Sequence, residues 1–360
     1  MASEGVVKKQ RLVLLDLLRI VFALLIYARH SITMFGCNFG SNLNYRIIGL
    51  TSPIMVGFFV LSGFSMYYSH SDKKLETFPE IKQFWVKRLI TIIPSYYLIH
   101  FLWILFNRSM IKDWLIMSPM EFTGSQSAFR SFFGILHNGG TWFVSCILFC
   151  YFVYPLIHTI ISNCSTKKLI IFSVVLFAFK YYSDFLVNRY HLNSNYPNPF
   201  FRILEFVFGA LICAIMLRIS ESTAWKCSAI GIVFVGGWMA YMRYISHNSF
   251  AETMLNASLP CLFVVLLISR NVKLKGNIVV STLSAMSYHF FLIQLILWDI
   301  STHILDFTGL SGNKTKIAVS LITCTVISFA MYMFFDKPIK EHATKAFLKN
   351  SKKPEPAVNS

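Results

Sequence analysis

Ten separate stretches of this 360-residue chain stay apolar for about 20 residues at a time. A helix rising 1.5 Å per residue needs about that length to cross roughly 30 Å of hydrocarbon. The stretches run over about 12–34, 47–68, 88–107, 141–162, 168–187, 200–217, 226–245, 254–270, 278–303 and 315–335. Inside a bilayer each backbone N–H and C=O must be satisfied without water, and a continuous helix does this within its own segment. The expected fold is therefore an all-α integral membrane protein, a single bundle of about ten transmembrane helices spanning residues 1–340. No linker, composition shift or internal repeat divides it. The remainder, 341–360, is polar, Lys-rich and Pro-containing, and is expected to be a disordered tail. The first run is too long for a signal-peptide core and lacks a small-residue cleavage site, so an uncleaved first helix is expected.

Composition agrees with a bilayer as solvent. Hydrophobic residues make up 55% and charged residues 14%, against about 25% charged in a soluble chain. The net charge of +17 would point to nucleic acid in a soluble protein. Here the basic residues flank apolar runs, which excludes that class in favour of the positive-inside rule and anionic lipid. With the N-terminus inside, the cytoplasmic segments hold about 21 Lys and Arg and the opposite side about 8. Both termini are thus expected in the cytoplasm, with the chain in the cell membrane. The eight Cys show no ligand spacing, so neither a metal site nor a disulfide is expected.

Ionisable residues within spans are costly and mark function by default. The first span carries Asp16, Arg19, Arg29 and His30. Arg19 and His30 are 11 residues apart, which places them about 20° from one another around the helix and about 16 Å apart along it. One helix face would then present a cation toward the cytoplasm and an imidazole toward the far side. Imidazole suits proton transfer from a hydroxyl near neutral pH. Equally, Asp16–Arg19 fits a structural i,i+3 pair, and Arg29 and His30 fit snorkelling to the headgroups.

Other positions carry paired readings as well. Lys87 and Arg88 open the third span; they fit a membrane anchor or a clamp on phosphate oxygens. Arg202 and Glu205 are i,i+3 and fit either a mutual pair or contact with substrate. Trp142 fits packing, an interfacial belt, or stacking on a sugar ring. Ser62-Gly63 has no nucleophile-elbow surroundings and reads as close helix packing. Lys180 and Asp184 have i,i+4 spacing and read as a structural pair. His289 sits in the ninth span without a role that sequence can assign.

Taken together, a set of short strings resembles the acyltransferase-3 family of membrane acyltransferases, which O-acylate cell-surface sugars. They are Leu15-Asp16-Leu17-Leu18-Arg19 with His30; Phe58-Phe59-Val60-Leu61-Ser62-Gly63-Phe64; Lys87-Arg88-Leu89-Ile90 with Pro94; and Gly140-Thr141-Trp142-Phe143-Val144-Ser145. Later come Arg202-Ile203-Leu204-Glu205-Phe206 with Gly209, Ser287-Tyr288 with Leu292-Ile293, and Phe335-Asp336-Lys337-Pro338. Their order and placement on successive spans carry the resemblance. Three departures stand out. The second Arg of the family's cytoplasmic RxxR pattern is Thr91, a frequent glutamate of the Trp-Phe span falls at Ile147, and a late His falls at Gln294.

The resemblance implies a cytoplasmic acyl-CoA donor, most simply acetyl-CoA, and a surface or lipid-linked glycan as acceptor, with no permanently bound cofactor. Arg88 and Lys87 would face the CoA phosphates, Arg19 would line the path of the pantetheine arm, and His30 would be the catalytic base. Trp142, Arg202 and Glu205 are the candidates for substrate contact. The missing glutamate resembles the branch that modifies exopolysaccharide or common-antigen sugars, some of whose members have been proposed as exporters. A polysaccharide export permease and a catalytically silent member therefore stand beside the enzyme reading. The charge asymmetry makes a direct prediction: reporter fusions after residue 75 and at the C-terminus report cytoplasm, and one near residue 120 reports the outside. Reporters at 75 and 120 on the same side would rule out the ten-span layout.

Overall fold

The computed structural model describes residues 10–106, 119–128, 139–190 and 196–350, and every regular element among them is helical. The α-helices are α1 (Val13–Met34), α2 (Ser41–Gly49), α3 (Thr51–His70), α4 (Phe78–Phe106), α5 (Trp142–Asn163) and α6 (Thr166–Arg189). They continue as α7 (Pro199–Arg218), α8 (Glu221–Ala240), α9 (Phe250–Leu267), α10 (Ile278–Thr308), α11 (Asn313–Ala330) and α12 (Lys337–Asn350). Polar caps set several starts. Ser165, Ser220 and Ser249 each accept from a backbone N–H three residues on, and Ser249 forms a full capping box with Glu252. Asn198 caps α7 with Pro199 following. A π-helical turn, Met331–Asp336, joins α11 to α12.

The all-α membrane class holds, and the described residues do not confirm the expected count of about ten. Among the described residues seven helical segments are long and apolar enough to cross a bilayer: Ser41–His70, Trp142–Asn163, Thr166–Val187, Pro199–Arg218, Glu221–Ile245, Phe250–Leu267 and Asn313–Phe347. An eighth is the pair Ile278–Gln294 and Ile296–Thr308, bent by 77°. The runs 12–34 and 88–107 lie in α1 and α4 and are not among these segments. α1 carries Asp16, Arg19 and Arg29, and α4 contains Pro94. The tail also differs from expectation. Residues 341–350 continue α12, where Glu, Ala and Lys are helix formers and Pro338 sits in the first turn, the place a helix tolerates it. Residues 351–360 lie outside the described residues, as does most of the segment 108–140 between α4 and α5.

Where one undivided bundle was expected, packing separates two compact units: Met1–Leu75 with Ser145–Ser287, and Glu76–Val144 with Tyr288–Ser360. One boundary falls in the segment between α3 and α4, and the other two fall inside α5 and α10, where no composition shift announces them.

The first unit is built on the crossing of α3 and α7. A Cβ added to Gly63 would lie 1.8 Å from the carbonyl oxygen of Phe206, and one added to Gly209 would lie 1.9 Å from that of Val60. The two backbones touch, which only glycine allows at both positions. Phe59, Val60, Phe64 and Phe206 are fully buried around the crossing. Apolar side chains elsewhere on this unit face outward, including Phe152, Ile171, Val174, Val233 and Ile230, as a hydrocarbon solvent requires. In the second unit α4 packs against α12 and the π-helical turn before it.

Gly63→Ala and Gly209→Ala should each lower stability by at least the roughly 1–3 kcal/mol of an overpacked core, because backbone rather than a side-chain tip blocks the methyl group. Thermal unfolding in detergent reads this. Ser62→Ala is the control, since Ser62 Oγ donates only to the Phe58 carbonyl of its own helix and should melt near wild type.

Candidate functional site

In the first unit, α1 carries Arg19 and His30, as the spacing indicated. Asp16 is buried and accepts three groups: Arg11 Nε at 2.7 Å, Ser284 Oγ at 2.6 Å, and Arg19 Nη1 at 3.5 Å. The Asp16–Arg19 pair read from the sequence is therefore present, but Arg11 is the closer partner. Arg19 turns its other nitrogen, Nη2, to Ser65 Oγ on α3 at 2.5 Å. His30 is half-buried near the C-terminal end of α1, and its neighbour Arg29 bonds the Thr33 hydroxyl one turn on.

A second charged group lies in the interior of this unit. Arg202 Nη1 reaches both oxygens of Glu205, at 2.8 and 2.7 Å, and Lys180 Nζ lies 3.8 Å from Glu205 Oε1. All three side chains are at least nine-tenths buried. Arg202 Nε donates to the Tyr196 carbonyl at 2.7 Å, and its guanidinium lies over the rings of Tyr196 and Phe59. Burial raises the Tyr196 phenol above its ordinary value, against the pull of Arg202 and Arg29. Arg202 and Glu205 thus form the mutual pair, with Arg202 Nε on the Tyr196 carbonyl and Lys180 near Glu205. Lys180, read as a partner of Asp184, also lies near Glu205; the Asp184 side chain, and with it that pairing, lies outside the described residues. Beside Lys180 a cavity of about 20 Å³, lined also by Asn256 and Ser258, has room for a water molecule.

In the second unit, the Arg88 guanidinium lies over the Phe84 ring, 5.6 Å from its centroid. Its Nε is buried without a hydrogen-bond partner, and Arg88 makes no ion pair among the described residues. Lys87 beside it is half-buried. Thr91, at the position of the family's second Arg, turns its hydroxyl back to the Lys87 carbonyl at 2.7 Å. Trp142 is buried at the start of α5, edge-on to Phe143, and its carbonyl accepts from Ser127.

The second unit also holds two polar groups that the sequence reading did not assemble. His100 Nε2 lies 3.1 Å from Glu121 Oε2, both buried, and Tyr96 donates to the Glu121 carbonyl. Ser95, His289 and Asp336 meet with no exposure, and Lys340 Nζ lies 2.5 Å from Asp336 Oδ2. A buried His on an apolar helix was the available signal in both cases. Its partners lie too far along the chain for spacing to reveal.

An all-helical fold with apolar outer faces and ionised groups paired in its interior defines a multi-pass membrane protein whose inside is built for polar chemistry. A family model described as an acyltransferase domain matches residues 12–333, nearly the whole chain. The chain belongs to the acyltransferase-3 family, and its activity class is membrane acyl transfer. No curated protein and no solved structure matches it.

The Lys180–Glu205–Arg202 group gives a stability prediction. Glu205→Gln leaves two buried cations without their carboxylate and should cost about 3–5 kcal/mol, seen as a large fall in melting temperature in detergent. A fall no greater than that of a surface substitution would show that the cations find other partners.

Proposed function

We propose that this protein moves an acetyl group from cytoplasmic acetyl-CoA to a hydroxyl of a surface or lipid-linked glycan. It would do so from the cell membrane, with both termini in the cytoplasm. The observation that carries the donor half is Arg88: a guanidinium within α4, about three turns from its start, that makes no ion pair among the described residues. A membrane protein keeps such a cation at a cost, and phosphate oxygens are the ligand that a guanidinium binds best. Lys87 adds a second charge. Arg19 has one nitrogen on Ser65 and a loose 3.5 Å contact to Asp16, which leaves it able to serve the amide-rich pantetheine arm. His30 takes the acceptor's proton. In the transfer the acceptor oxygen bonds the acyl carbon, the C–S bond breaks with its electrons on sulfur, and the hydroxyl proton passes to the imidazole.

The back-bonded Thr91 hydroxyl supplies no cation, and this favours an export permease as the second reading. One assay separates them: transfer of labelled acetyl from acetyl-CoA to glycan by purified protein in liposomes. Wild type should transfer label. His30→Gln should lose the roughly 10²–10⁴-fold contribution of a general base, because an amide cannot accept the proton, while keeping acyl-CoA binding. Arg88→Ala should weaken donor binding by roughly 1.5–3 kcal/mol, the worth of a hydrogen bond to a charged group. Wild-type rates in His30→Gln would remove His30 from the mechanism. Wild-type protein that moves glycan across the bilayer but transfers no acyl group would establish the exporter instead.

A further inference from the structure

His289 and Asp336 lie 194 and 241 residues beyond Ser95, yet in the second unit the three side chains meet with no exposure. The donors and acceptors can be assigned in turn. Lys340 Nζ lies 2.5 Å from Asp336 Oδ2 and holds that group as a carboxylate. A carboxylate only accepts, so the one Ser95 hydroxyl proton goes to Asp336 Oδ1, at 2.9 Å. Ser95 Oγ then has only a lone pair to offer His289 Nε2, at 3.0 Å. Nε2 therefore carries the imidazole proton, and in the neutral ring Nδ1 is bare. That nitrogen is buried and has no hydrogen-bond partner among the described residues. The rings of Tyr288 and Tyr332 flank the imidazole, with centroids at 5.6 and 5.9 Å.

This trio has the residue types of a serine nucleophile site but the wrong order. One ring nitrogen serves both partners, since Nε2 is also 3.6 Å from Asp336 Oδ2, and Ser95 aims its proton at the acid rather than at the base. The open atom is the imidazole nitrogen. A carboxylate and a hydroxyl fix the ring's tautomer and orientation, as orienting groups do for an acid–base histidine. A buried acceptor left without a donor is unfavourable unless something supplies one.

We propose that His289 is an acid–base residue of the donor site, with Nδ1 meeting the sulfur of coenzyme A; Ser95 and Asp336 position it. This rests on the acyl-CoA reading above. Ser95 is seven residues from Arg88 on α4, two turns deeper on the same face, so the phosphate cation and the histidine's anchor share one side of one helix. When the thioester C–S bond breaks, its electron pair stays on sulfur and the proton on Nδ1 of the His289 imidazolium moves to that sulfur. The products are CoA thiol and neutral imidazole, while the acceptor oxygen forms the C–O bond and yields its proton to its own base. The proton that His289 gives to sulfur equals in number the one the acceptor hydroxyl releases, so the overall transfer balances, and Asp336 balances the imidazolium charge.

The test is binding of CoA and of desulfo-CoA to the full-length protein in nanodiscs. Wild type should prefer CoA by roughly three- to tenfold, the worth of one net hydrogen bond. His289→Gln keeps an amide N–H for Ser95 but lacks the bare nitrogen, and should bind both probes equally. Ser95→Ala leaves the ring present but unoriented and should lose part of the preference. Melting temperatures show that each variant is folded. A folded His289→Gln that keeps the preference, or a wild type without one, overturns the assignment. So does a His289→Gln that keeps the preference for thiol but loses glycan binding, which would give the nitrogen to the acceptor hydroxyl. Folded wild type that binds no acetyl-CoA at all overturns the donor reading itself, and this inference with it.

Discussion

The contact between the backbones of α3 and α7 sets the geometry of the first unit. Gly63 and Gly209 each face a carbonyl of the opposite helix at a distance no Cβ could share. In a bilayer, apolar burial gives little drive for helices to associate, so close packing and polar contacts must hold them. The crossing places Phe59 beneath the Arg202 guanidinium and leaves Ser65, two residues beyond Gly63 and toward the other side of α3, for Arg19. The polar interior of this unit is thus registered by two residues that carry no side chain.

Charge pairing is the second constraint. Three buried carboxylates serve as hubs: Asp16 for Arg11 and Arg19, Glu205 for Arg202 and Lys180, and Asp336 for Lys340 with Ser95. Acids are scarce in this chain, 16 against 33 Lys and Arg, so a buried acid holding more than one cation is what the composition permits. A charge left uncompensated in such an interior is strongly destabilising. The hubs are therefore part of how the fold tolerates its cations, and each ties together helices far apart in sequence.

The helical class and the close helix packing at Gly63 were legible from the sequence because both are local properties: run length, and small residues in an apolar span. The Arg202–Glu205 pair was legible for the same reason, being i,i+3. Partners brought in by tertiary packing were not. Ser284 lies 268 residues from Asp16, and no periodicity links Ser95 to His289 or Lys180 to Glu205. The i,i+4 rule could offer Lys180 only a local partner, Asp184, and not Glu205 on a neighbouring helix. The division into two units was also hidden, since two of its three boundaries fall within continuous helices.

Once the paired groups are set aside, what is left differs in kind between positions. Arg88 is a permanent cation; stacking on Phe84 covers the face of its guanidinium, while the buried Nε on its N–H edge has no hydrogen-bond partner among the described residues. An edge with open donors calls for an anion with several oxygens, which water or a lipid tail does not replace. His289 is the converse, a group whose proton-bearing nitrogen is occupied and whose lone pair is open. It calls for a neutral ligand that brings a hydrogen. An acyl-CoA carries the first feature in its phosphates, and its product thiol carries the second. Two unsatisfied groups on the α4 side of the second unit thus differ in the manner of the two ends of one donor molecule.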